Sequence, residues 1–115
     1  MDDCIFCMIA RGEIPTHAVY EDDRIFAFKD LHPQAPVHVL LVPKVHYTGL
    51  NSDVPEELLG ALLAAAPRVA ALMGVADSGY RVIINTGPDA GQTVPHLHVH
   101  LIGGAPMSEG MVKLA

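Results

Sequence analysis

The run His96-Leu97-His98-Val99-His100 constrains this chain more than any other segment. In an extended strand, residues i, i+2 and i+4 share one face. Three imidazoles then project together, while Leu97, Val99 and Leu101 turn to the opposite side, where a core is expected. Three histidines in a row offer little as core packing, and repeated histidine is an unusual choice for a merely solvated strand face. The run points instead to metal binding or to nucleophilic and acid–base chemistry. Neutral imidazole is a common zinc ligand. It can also attack phosphorus, provided its second ring nitrogen has a fixed partner that holds the tautomer, and a neighbouring histidine can tune protonation or donate to a leaving group. Imidazole titrates near about pH 6.5, so both protonation states are within reach.

The 115 residues correspond to a single domain spanning 1–115. Half of them are hydrophobic and only 17% are charged, so burial in an oligomer would relieve an otherwise weakly charged surface. The formal net charge of −6, with no run of Lys or Arg, argues against a nucleic-acid groove or an anionic-membrane patch. A small nucleotide remains compatible, because backbone N–H groups bind phosphate without a basic protein. No stretch approaches the roughly 18 consecutive apolar residues of a spanning helix. The opening Met1-Asp2-Asp3 lacks the basic run of a signal peptide, and a cytoplasmic location is the expectation. In that setting the pair Cys4 and Cys7 reads as a metal or redox pair rather than a structural disulfide.

Local patterns predict an antiparallel α+β domain. Cys4 to Arg11 forms a short helix with Ile5, Phe6 and Ile9 as its apolar stripe, stopped by Gly12 and Pro15. Val19–Glu21 and Ile25–Lys29 read as strands around the turn Asp22-Asp23, and Val37–Val42 as a buried strand ended by Pro43. Asn51-Ser52-Asp53 offers a capping side chain ahead of Pro55-Glu56-Glu57, which opens a helix running to Met73 with Gly74 at its end. Pro67 is expected to kink or locally break that helix. Tyr80–Asn85 and His96–Ile102 complete a set of about five strands, with a turn-rich stretch from Thr86 to Gly91 between them.

The run His96 to Ile102 resembles the motif of the histidine-triad (HIT) superfamily. Tyr20-Glu21-Asp22-Asp23-Arg24, Asp30, Pro33 to His38, Val42-Pro43-Lys44, Asn85 and Gly91-Gln92-Thr93 are similar in order and spacing to its HINT (histidine-triad nucleotide-binding) branch, as is Gly103-Gly104 after the triad. The resemblance extends from Cys4 to about Met107. It implies a HIT-like fold, with an antiparallel sheet of about five strands, one main helix and a short N-terminal helix.

The same resemblance implies a hydrolase or transferase acting at the α-phosphate of purine nucleoside monophosphate derivatives, AMP or GMP derivatives such as phosphoramidates or acyl-adenylates. His98 falls on the family nucleophile and would form a nucleotidyl-histidine. His38 would hold and polarise it, and His100 would contact the phosphate and leaving group. Main-chain donors around Gly91, Gln92 and Thr93, with the Thr93 hydroxyl, would bind phosphate oxygens, Asp30 the ribose, and Asn85 the phosphate and sugar side. Ile5, Phe6, Ile9, Phe28, Leu31 and Leu40 match apolar positions around the base, positions that an ordinary core would fill equally well. Some relatives bind structural zinc through a Cys pair, a histidine and the first histidine of the triad, which here are Cys4, Cys7, His46 and His96. His96 is therefore either in the catalytic row or in the zinc site, and no cofactor is expected for catalysis. His17 and His32 read as surface residues.

The branch also implies a homodimer whose sheets join across a two-fold axis. This chain has no Trp, and its ending Met107 to Ala115 departs from the C-terminal segment that shapes leaving-group preference in eukaryotic members. Three other readings stand beside the hydrolase. They are a nucleotide-binding regulatory protein with little turnover, a dinucleoside polyphosphate hydrolase, and a metalloenzyme with open zinc on the three triad histidines.

Overall fold

The computed structural model describes residues 4–114. Met1, Asp2, Asp3 and Ala115 lie outside the described residues, and with them the expectation attached to Met1-Asp2-Asp3. The chain forms α1 (Ile5–Ala10), β1 (Ala18–Glu21), β2 (Ile25–Lys29), β3 (Val37–Pro43), α2 (Glu56–Leu72), β4 (Tyr80–Ile83) and β5 (Val99–Gly103). The strands make one antiparallel sheet in the order β1-β2-β3-β5-β4. This is the α+β architecture expected from the sequence. No helix among the described residues is long and apolar enough to cross a membrane.

The sheet is covered on both faces, and the alternation of side chains decides what goes where. Ile25 and Ala27 of β2, Val39 and Leu41 of β3, and Val99 and Leu101 of β5 pack against Leu58, Leu62, Ala65, Val69 and Ala70 of α2. The intervening Phe26 and Phe28 of β2, with Leu40 and Val42 of β3, meet Phe6 and Ile9 of α1. Two-sided burial explains why β2 and β3 read as nearly continuous apolar runs. His38 and His100 lie on the α1 face of the sheet, because Leu40 pairs with His100 and His38 with Ile102.

Several boundaries differ from expectation. The final strand starts at Val99 rather than His96. Pro43 has no N–H with which to extend the β3–β5 ladder, and its carbonyl oxygen is instead 2.9 Å from Nε2 of His96. Leu97 N–H donates to the Tyr47 carbonyl at 2.6 Å, outside the sheet. Leu97 is nevertheless buried in the α2-side core, so the predicted inward set holds. β4 ends at Ile83, leaving Asn85 beyond the strand.

The predicted capping side chain is absent at α2. Pro55 occupies the N-cap with no side-chain hydrogen bond, while the Ser52 hydroxyl donates to the Gly49 carbonyl at 2.7 Å within the preceding turn. The expected break at Pro67 does not occur either, and α2 is continuous through it. At the other end Gly74 takes φ +74, and Val75 N–H donates back to the Ala70 carbonyl at 2.9 Å. That closure satisfies a terminal carbonyl and returns Val75 to the core.

Leu62 is 1% exposed at the centre of the α2–sheet contact. Leu62→Ala is expected to cost about 2–5 kcal/mol, read as a lower urea midpoint at an unchanged slope.

Candidate functional site

One cavity of about 320 Å³ opens on the α1 face of the sheet. α1 contributes Ile5, Phe6 and Ile9; β2 and the turn after it contribute Phe28, Asp30 and Leu31; β3 contributes Leu40. Thr93, His98 and His100 complete the set, so ten residues singled out from the sequence line a single cavity. Phe6 is the hinge of the arrangement. Its ring packs edge-on against His98 at 5.0 Å and against His96 at 5.9 Å between centroids.

Hydrogen-bond partners assign the tautomers. Nδ1 of His98 lies 2.7 Å from the His96 carbonyl oxygen, which can only accept. The proton is therefore on Nδ1, and Nε2 of His98 carries the lone pair. Gln34 N–H donates to Nδ1 of His38 at 2.9 Å, so neutral His38 carries its proton on Nε2. That nitrogen is 2.9 Å from Nδ1 of His100, which then accepts and keeps its own proton on Nε2. Burial, followed by the neighbouring His98 and His38, pushes His100 down to about 4. His100 is thus a neutral donor at physiological pH. Burial also lowers His98, opposed by its bond to the His96 carbonyl and by the charge of Asp30.

His38 does not hold His98 directly, as the sequence reading had it. In the β3–β5 register it sits diagonal to His100, and its ring reaches His98 only through His100, 5.0 Å from His98 between centroids. Asn85 is also placed differently. It lines a separate hollow of about 230 Å³ with Gln34, His38, Ile83, His100 and Ile102, approaching His100 from the other side.

The main-chain donors of Gly91 and Gln92 are taken up by the loop itself, Gly91 N–H donating to the Pro88 carbonyl at 3.0 Å and Gln92 N–H to that of Gly87 at 3.2 Å. The Gln92 side chain is likewise engaged. Its Oε1 accepts from Gly87 N–H at 2.9 Å, and its Nε2 donates to the carbonyls of Thr48 at 2.7 Å and Val94 at 3.1 Å. Gly91 closes the short 3-10 turn Pro88–Ala90 with φ +81, a conformation that suits glycine. Neither Gly91 nor Gln92 lines the cavity, and of these three residues only Thr93 does.

Thr16, Val94 and His32 line the cavity without having been singled out, and His32 is exposed, as expected of a surface residue. A signal for His32 existed. Asp30 followed two residues later by a turn position favours an Asx turn, and Oδ1 of Asp30 indeed accepts from His32 N–H at 2.8 Å.

The second constellation is Cys4, Cys7, His46 and His96, whose ligand atoms all lie within 4.8 Å of one another. Nε2 of His96 donates to the Pro43 carbonyl, which leaves Nδ1 as the lone-pair nitrogen. Nδ1 is 3.4 Å from each of the Cys4 and Cys7 sulfurs and 3.2 Å from Nδ1 of His46. Zinc bonds of about 2.0–2.3 Å place neighbouring atoms of a tetrahedron about 3.3–3.8 Å apart, so two thiols and two imidazoles stand near the spacing that zinc needs. Burial, then Cys4, pushes the Cys7 thiol up to about 11. The Cys7 thiol is thus neutral unless a cation supports its thiolate. Asp30, His38 and His100 also converge within 4.8 Å. There the Gln34 N–H keeps the His38 proton on Nε2, the nitrogen facing the other two, which makes that group a hydrogen-bonded chain rather than a cation site.

The model of the HIT domain matches residues 11–107. A purine nucleoside phosphoramidase of Escherichia coli K12 is 43% identical over 108 residues, covering 92% of this chain and 91% of that protein. A 14 kDa zinc-binding protein of Brassica juncea is 49% identical over 110 residues, covering 92% and 96%. Among solved structures, a HIT family hydrolase from Clostridium thermocellum superposes with a TM-score of 0.93 at 43% identity, covering 97% of this chain and 99% of that one. A domain-length family match together with that likeness of fold leads to one conclusion: the chain belongs to the HIT domain family.

Proposed function

We propose that this chain is a nucleotide hydrolase acting at the α-phosphorus of purine nucleoside monophosphate derivatives such as phosphoramidates or acyl-adenylates. The observation that carries the reading is the 2.7 Å contact between Nδ1 of His98 and the His96 carbonyl, which commits the Nε2 lone pair beside the cavity. The Escherichia coli phosphoramidase and the Clostridium thermocellum hydrolase support the same reaction class. The apolar wall of Ile5, Phe6, Ile9, Phe28 and Leu40 suits a planar base, and Asp30 presents an acceptor for ribose hydroxyls.

Nε2 of His98 attacks phosphorus, and the bond to the leaving amine or acyl oxygen breaks with its electron pair going to the leaving group. The Nε2–H of His100 and the Thr93 hydroxyl are donors for the phosphate oxygens and the departing atom, where charge develops. Water then attacks phosphorus, and the P–N bond breaks with its pair returning to Nε2. In the net reaction the hydroxyl of that water ends on the nucleoside monophosphate, and its other proton replaces the one that the leaving group takes up as it departs. The described residues lining the cavity include no Lys or Arg, which favours a substrate with one phosphate over a polyphosphate.

Cys4, Cys7, His46 and His96 would hold a structural zinc ion, a reading supported by their spacing and by the zinc-binding relative. Bound there, the metal would supply a closed cross-link between α1 and the segment before β5, leaving no open position for substrate. The chain also reads as a homodimer. β4 leaves one edge of the sheet unpaired, and Leu63 and Leu72 are exposed on α2.

His98→Ala is expected to lower turnover of an adenosine phosphoramidate by at least about 10³-fold while the fold and AMP binding persist. Mass spectrometry of the quenched wild-type reaction should show the nucleotidyl adduct. Full activity of the variant would sink the assignment. Elemental analysis is expected to give one zinc per chain, lost together with thermal stability in Cys4→Ser/Cys7→Ser; a metal-free wild-type protein of unchanged stability excludes the zinc reading. Sedimentation equilibrium should return twice the mass of one chain, and a single-chain mass excludes the dimer.

A further inference from the structure

Asp30 is the one charged side chain among the described residues lining the cavity on the α1 face. Its surroundings hold more than a sugar contact requires. Asp30 N–H donates to the His38 carbonyl at 2.9 Å, so the end of β2 fixes the carboxylate beside the His38 ring. Oδ2 lies 3.4 Å from Nε2 of His38, with side chains only 18% and 4% exposed. That nitrogen bears the proton that His38 shares with Nδ1 of His100 at 2.9 Å. That N–H is spent on the ring nitrogen, and the carboxylate lies beside it as a charge. The polar atoms of Asp30, His38 and His100 lie within 4.8 Å of one another, so the negative charge acts on His100 against the fall that burial imposes.

We propose that Asp30 is the fixed charge of the histidine chain: held beside His38 and His100, its carboxylate supports the cationic ring formed when His98 bonds phosphorus. This rests on the nucleotidyl-histidine reading and goes beyond a ribose contact. The cation follows from the bonding. Nδ1 of His98 keeps its proton towards the His96 carbonyl while Nε2 forms the bond to phosphorus. An amide cannot replace the carboxylate. Asn keeps an acceptor for His32 N–H but carries no charge.

The test compares Asp30→Asn with wild type on two probes, an adenosine 5′-phosphoramidate and its 2′,3′-dideoxy counterpart. The single-turnover rate of the variant should fall about 10- to 100-fold on both, the size expected of one charge acting over a few ångströms at an effective dielectric of about 20. A purely ribose-binding Asp30 predicts that the deficit disappears on the dideoxy probe, and that result overturns the proposal. Binding of each probe before turnover gives a second readout. On the dideoxy probe the variant should bind no more weakly than wild type, because the neutral ground state has no cation to support, and an affinity loss equal to the rate loss overturns the proposal. Should the wild type hydrolyse neither probe, the hydrolase reading fails and this proposal fails with it. Should Asp30→Asn not fold, Asp30→Ser, whose hydroxyl still accepts from His32 N–H, takes its place in both measurements.

Discussion

Antiparallel pairing of β3 with β5 builds the core and the site from the same residues. Facing α2, Val39 and Leu41 lie beside Val99 and Leu101, all fully buried. On the other face the same register sets Leu40 beside His100 and brings His38 within hydrogen-bonding distance of it. A slip of one residue would send every side chain to the wrong face. It would turn the imidazoles into the α2 core and expose the valines and leucines that fill it. Burial of the apolar set on one face therefore fixes the alignment of the histidines on the other.

His96 joins the two constellations through separate parts of one residue. Its ring is fully buried and faces the thiols, while its main-chain oxygen orients His98. Ring and carbonyl are linked by a few bonds, so the thiol cluster and the tautomer of His98 share one rigid unit. The Pro43 carbonyl completes it by accepting from the other nitrogen of the His96 ring.

Much of this was legible in the chain because it depends on local pattern. The apolar periods of α1, β2, β3 and α2, and the inward set Leu97, Val99 and Leu101, follow from side-chain alternation alone. The start of β5 was not legible, because it depends on a proline in a different strand. The partner of His38 depends on register across β3 and β5, which no single segment reveals. The main-chain donors of Gly91 and Gln92 are expected at phosphate from their place in a motif, whereas both N–H groups donate to carbonyls of Pro88 and Gly87 that converge only in the folded loop. Thr16 and Val94 sit in irregular chain, where no period marks a cavity wall.

The shortness of α1 has a thermodynamic consequence. Six residues are too few to hold a helix in isolation, so α1 owes its order to what Phe6, Cys7 and Ile9 bury. Its inner face closes the cavity, and its first turn carries the sulfurs. Ligands at the two places would draw on one shared ordering free energy, and occupancy of either would lower the entropic cost of filling the other. By reciprocity, the two binding equilibria through this helix would be coupled to the same degree in both directions.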